Sequence, residues 1–192
     1  MRVRPRTAPG ARAEKSARVW RGRMRATILL ACLIGALAAE RAAAAESAYT
    51  KFDWEKCRKT AEEDDVVMRR CNGPDGIVVD INNGADAAFV SFGEKGARGE
   101  TQLGDFYFPK DTVEWRKASG KPFAAILRYD IGKSVGGPFR SALVVYKLEG
   151  KASSCIVAIV DGGKLGANER ARAAADEAAP KFTCDKDAPQ RR

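Results

Sequence analysis

Two arginines that stand beside aromatic residues, in Trp115-Arg116 and Arg128-Tyr129, are the groups in this chain best suited to hold another molecule. A guanidinium is a planar fork of donors that fits a carboxylate or phosphate through parallel hydrogen bonds, and a large ring beside it adds contact area. If residues 113–118 and 123–131 are strands, alternation puts Glu114, Arg116, Arg128 and Asp130 on the less buried face, with Trp115 and Tyr129 opposite. Trp115, Arg116, Arg128 and Tyr129 are therefore the candidate ligand-binding residues, and an anionic small molecule or a protein is the partner they suit. The same spacing also describes cross-strand ion pairs on a solvated sheet face, worth about 0.2–1 kcal/mol each.

Other chemistry has little to work with. The chain contains no histidine, so it lacks the usual base for a serine or cysteine nucleophile. No catalytic residue is assigned and no cofactor is expected. A hydrolase built on two carboxylates needs no histidine and stands as one alternative. A thiol-redox or metal-binding protein is the other, although the cysteines show no C-x-x-C spacing and no metal ligands are assigned. Residues 93–104 are glycine-rich but lack the order of a phosphate-binding loop. Asp80, Asn82, Gly84 and Asp86 imitate a calcium loop without its closing glutamate.

The order of charge along the chain predicts export. Residues 2–25 carry nine Arg or Lys and one acid, Ala26 to Ala39 is a 14-residue apolar stretch, and Ala43-Ala44-Ala45 forms a small-residue cleavage motif. A signal peptide over 1–45 is expected, with Met24 as a second plausible start and a periplasmic or secreted mature protein. The apolar stretch is shorter than the roughly 20 residues a membrane-spanning helix needs, so no transmembrane helix is expected in the mature chain. The first 45 residues hold 10 of the 34 basic and 2 of the 25 acidic residues, which leaves 24 against 23. The basic character belongs to the leader and gives no reason to expect nucleic-acid binding.

Removing the leader also leaves four cysteines, Cys57, Cys71, Cys155 and Cys184, an even number in an exported chain. Of three connectivities, Cys57–Cys71 and Cys155–Cys184 are preferred because each closes a local unit. The first encloses a charged segment unable to build a core of its own. The second ties the end of a helix to the chain's central apolar segment.

That segment is Ser141 to Asp161, two β-branched and aliphatic runs joined at Glu149-Gly150-Lys151. Its second run is apolar throughout, so both faces should be covered. Val113 to Ala118 and Phe123 to Ile131 form the pair before it. Asn83-Gly84 predicts a two-residue turn that sets Ile81 opposite Asp86. Ala171, Ala174, Ala175 and Ala178 mark one face of a helix, with Asn168 as its cap and Pro180 as its stop. Glu46 to Lys51 reads as a leader to the fold, and 188–192 as a flexible tail. The expected architecture is α+β, one domain over 46–187: an antiparallel β-sheet of hairpins with a C-terminal alanine-rich helix packed on it, stapled by disulfides.

The segments V-E-W-R, G-K-P-F-A-A-I-L-R-Y, S-C-I-V-A-I-V-D and N-E-R-A-R-A-A-A-D-E-A-A resemble an uncharacterised family of short exported bacterial proteins with four mature cysteines. The likeness runs from Val113 to Asp187. It implies export and the α+β fold and brings no assigned function. The sequence thus leads to a periplasmic or secreted, non-enzymatic binding or envelope-associated protein.

Overall fold

The computed structural model describes residues 45–134 and 136–192. The expected signal peptide, apart from its last residue, and the start at Met24 lie outside the described residues. In chain order these form β1 (Glu46–Lys51), β2 (Arg58–Glu63), β3 (Val66–Asn72), β4 (Val78–Asn83), β5 (Ala88–Phe92), β6 (Ala97–Arg98), β7 (Phe106–Ala118), β8 (Lys121–Gly132), β9 (Arg140–Glu149), β10 (Ser153–Asp161), the helix α1 (Ala167–Ala178) and β11 (Gln190–Arg191). Among them no helix is long and apolar enough to cross a membrane.

The class is α+β, with two β-sheets and one C-terminal helix. The larger sheet has the order β1-β7-β8-β9-β10-β11, with β6 also pairing on β10; the smaller is β2-β3-β4-β5. Pairing is antiparallel except where β6 and β11 add to β10. The alternation of β8 and β9 explains the layering. Ala125, Leu127, Tyr129, Val144 and Tyr146 join β4 and β5 in one core, while Ala124, Ile126, Leu143 and Val145 join the helix in another. The larger sheet is thus buried on both sides, as the continuous apolar run of β10 requires. A bulge between Ile156 and Ala158 turns the successive residues Val157 and Ala158 both toward the helix.

The alanine face lets α1 lie close to that sheet: Ala171, Ala174 and Ala175 are fully buried, and Ala178 packs at the edge. Cys155–Cys184 ties β10 to the segment after the helix with Cα atoms 5.8 Å apart, and Cys57–Cys71 closes the base of the β2–β3 pair at 5.0 Å. The outer edge of β5 does not face water. The Val90 N–H donates to the Tyr129 hydroxyl at 3.1 Å and the Phe92 N–H to Ser154 Oγ at 3.1 Å, so side chains of the larger sheet satisfy backbone groups of the smaller one. Gly93, at φ +92°, lies against the backbone of Ala152 and Ser153, where a Cβ would come within 2.6 Å of the Ser153 nitrogen.

Four local expectations are corrected. Ile81 pairs with Val90, not Asp86, because the turn spans Gly84 to Ala87, closed by the Gly84 N–H on the Ala87 carbonyl. The four-residue shift preserves which side chains face inward and brings Phe92 edge-on to Trp115 and Tyr146, at 5.4 and 5.1 Å. Residues 46–51 are not a leader but edge strand β1, paired residue for residue with β7 and tied by the Trp115 indole N–H to Thr50 at 3.0 Å. The helix is preceded by Gly166 at φ +72°, and Asn168 lies inside its first turn. The last residues are not a loose tail: Gln190 and Arg191 pair along β10.

Candidate functional site

Asn168, Arg172 and Asp176 recur at every fourth position and so form one stripe along α1, bordering its alanine face. The sheet presents a matching set to this stripe: Arg128 on β8, Glu114 and Arg116 on β7. They meet in three rungs. Arg116 donates Nε and Nη2 to the two carboxylate oxygens of Asp176, at 2.8 and 2.6 Å. Arg172 donates Nε to Glu114 Oε1 at 2.7 Å. Arg128 donates Nη2 to Asn168 Oδ1 at 2.8 Å.

The first two rungs pair opposite charges; the third sets a guanidinium against a neutral amide. Arg128 gives its other nitrogen, Nη1, to Ser141 Oγ at 2.6 Å, again a neutral acceptor. Its charged neighbours are already matched: Lys110 with Asp130 at 2.5 Å, Lys51 with Asp111 at 3.2 Å, and Arg172 with Glu114. Among the described residues, Arg128 is left as the uncompensated charge of this face.

Local irregularity in β7 produces that situation. Pro109 pairs with Tyr129 and Val113 with Leu127, so Lys110, Asp111 and Thr112 together oppose Arg128 alone. The bulge takes these three residues out of regular cross-strand pairing, and Asp111, the acid among them, pairs with Lys51 and not with Arg128. On the other side the guanidinium rests against Gly162, where a Cβ would lie 2.7 Å from Nη1 and 2.6 Å from Ser141 Oγ. A side chain at 162 would displace it.

The result is an open groove of about 380 Å³ between the first half of α1 and the sheet, whose lining includes the cations Lys110, Arg128 and Arg172, the acids Asp111 and Glu114, and Asn168. The free N–H groups and positive end of the helix lie beside it. The hydrogen bonds to Asp176 and Glu114 push the Arg116 and Arg172 guanidiniums further up, against the opposing effect of burial. Both guanidiniums therefore stay charged. Among the described residues no group of three or more acids and cysteines converges to hold a metal.

Of the four candidates for ligand contact, only Arg128 borders the groove. Trp115 and Tyr129 are fully buried on the opposite face, where Trp115 packs on Phe92 and the Tyr129 hydroxyl bonds Tyr146 at 3.0 Å. They are out of reach of a ligand. Arg116 is only 6% exposed and committed to Asp176, Ser47 and the Ala45 carbonyl. The expected ladder of Glu114, Arg116, Arg128 and Asp130 does not form across the strands. The register sets Glu114 opposite Ile126 and Arg116 opposite Ala124, and α1 supplies the counter-charges. That face is also not the less buried one where it meets the helix: Glu114 is 9% exposed.

Sequence reasoning does not single out Arg172 and Asp176, and it reads Asn168 only as the helix cap. Their four-residue spacing beside an alanine face was the available signal. Comparison with protein-family models, with curated proteins and with solved structures gives no match, so the site stands on its geometry.

Proposed function

We propose that the protein is an exported, non-enzymatic binding module that takes a small anionic group, a carboxylate or phosphate, at Arg128 in the groove between α1 and the larger sheet. The observation that carries this reading is the neutral third rung: a positioned guanidinium whose protein partners, Ser141 and Asn168, leave its charge unmatched. A guanidinium held by neutral acceptors keeps its attraction for an anion, whereas one clamped by a carboxylate does not. The positive end of the helix adds to this attraction, while Lys110 and Arg172 stay matched by Asp130 and Glu114. Two disulfides and the lack of a membrane-length helix among the described residues are consistent with the periplasmic or secreted location in this proposal.

One half-buried guanidinium with a helix end supports weak capture, with Kd on the order of 0.1–1 mM for a simple anion. The test is calorimetric titration with succinate and with inorganic phosphate. Arg128→Gln should abolish the heat of at least one of them while leaving the melting temperature nearly unchanged. Equal binding by the wild type and the variant, or none by the wild type, would reject the site.

A further inference from the structure

A second opening lies where β8 runs out at Gly132 and the core between the two sheets comes to the surface. Its cavity of about 420 Å³ has a mainly apolar lining, in contrast to the mixed lining of the groove at Arg128. Leu103 and Ile131, both members of the inter-sheet core, form its inner part, and Pro138 and Phe139 its wall. Phe139 is 42% exposed, yet it is not a loosely hung ring. Its face lies against Gly132 and Gly137, where a Cβ would come within 2.9 and 3.1 Å of ring atoms, and its edge meets Phe108 at 6.3 Å. Gly104 is equally close to Ile131, 2.9 Å from Cβ position to side chain. Three glycines thus let the Phe139 and Ile131 side chains lie directly against the backbone, which fixes the aromatic wall in place.

The rim carries Lys133 and Arg140, both exposed, with Asp105 as the single acid. None of the ion pairs among the described residues uses Lys133 or Arg140. An apolar recess with a cationic rim is complementary to a molecule with an aliphatic chain and one anionic head. We infer that this cavity is a second binding site, for the monomer of a medium-chain aliphatic carboxylate, with the chain against Leu103, Ile131 and Phe139 and the carboxylate at Lys133 and Arg140. The size fits the usual range of small-molecule sites, roughly 300–1,000 Å³.

The experiment is calorimetric titration of the whole exported chain with decanoate below its micelle concentration, with decanol as the uncharged control. Saturable binding of decanoate at one tight site is expected, beside the weaker carboxylate capture at Arg128. The double variant Lys133→Gln/Arg140→Gln should weaken decanoate at least tenfold and leave decanol within twofold. Phe139→Ser should weaken both at least tenfold; if that variant melts early, the rim variant, made only at exposed positions, decides. Arg128→Gln should leave decanoate binding within twofold, which separates this site from the groove. The inference is overturned by absence of saturable decanoate binding, by a rim variant that binds as well as the wild type, or by loss of binding in Arg128→Gln. Association with anionic vesicles in place of decanoate monomer would overturn it as well, assigning the patch to a membrane surface.

Discussion

Replacing Arg116 by alanine should unlock the helix from the sheet, and its cost follows from the geometry. The Arg116 side chain is 7% exposed and that of Asp176 34%. Breaking a fully buried ion pair from one side costs about 3–5 kcal/mol, because the abandoned charge keeps its desolvation without its partner. Water reaches Asp176 and recovers part of that, so the expected loss is about 2–3 kcal/mol. Ser47 Oγ and the Ala45 carbonyl lose a donor in the same change, which loosens the start of β1. For a domain of this size such a loss lowers the melting temperature by roughly 5–10 °C. The assay is thermal unfolding by circular dichroism for Arg116→Ala, Asp176→Ala and the double variant. The cycle should give a coupling of about 2 kcal/mol. By contrast, Lys59→Ala removes a surface pair with Glu62 and should leave the melting temperature nearly unchanged. An Arg116→Ala melting temperature within 1–2 °C of the wild type, or a coupling below about 0.5 kcal/mol, would refute the view that the charged rungs fasten α1 to the sheet.

Cys155→Ala combined with Cys184→Ala should cost more than Arg116→Ala, about 3–4 kcal/mol, because it releases a 29-residue span from the unfolded chain's constraint as well as the helix end; equal midpoints in denaturant would contradict this. Burial pushes the Tyr129 and Tyr146 phenols well up, so the unfolded chain releases their protons first. Their contribution is therefore full below about pH 10 and lost as pH rises through that value toward the folded one, about 2 kcal/mol for the pair between roughly pH 10 and 11. Denaturant titrations across that interval should show the fall. Ionisation of these tyrosines by absorbance before unfolding would count against it.

The larger sheet was legible because its residues alternate: Ala125, Leu127 and Tyr129 against Ala124, Ile126 and Arg128 read as two faces without knowledge of the fold. The disulfide pairing was legible too, since each bridge closes a local unit. What could not be read was decided by tertiary partners. Glu46 to Lys51 is polar and becomes a strand only because β7 has a free edge and Arg116 and Trp115 meet it there. The Asn83-Gly84 turn gives way because the longer loop brings Val90 and Phe92 into the inter-sheet core, a gain no local preference registers. The site shows the same division. Arg128 was visible as a charge on a strand, but the bulge at 110–112 that leaves it unopposed, and the helix stripe that neutralises its neighbours, belong to the assembled structure.

The central claim is that the third rung lacks an acid and that this lack makes the binding site. Asn168→Asp supplies the acid at the same position, 2.8 Å from Arg128 in the present amide geometry and in the first turn of α1, where negative charge is favoured. Titration of wild type and Asn168→Asp with succinate and with inorganic phosphate, each followed by thermal unfolding, tests it in one experiment. The account predicts a variant stabilised by about 0.5–1.5 kcal/mol that no longer binds the anion. A variant that binds as tightly as the wild type would contradict it.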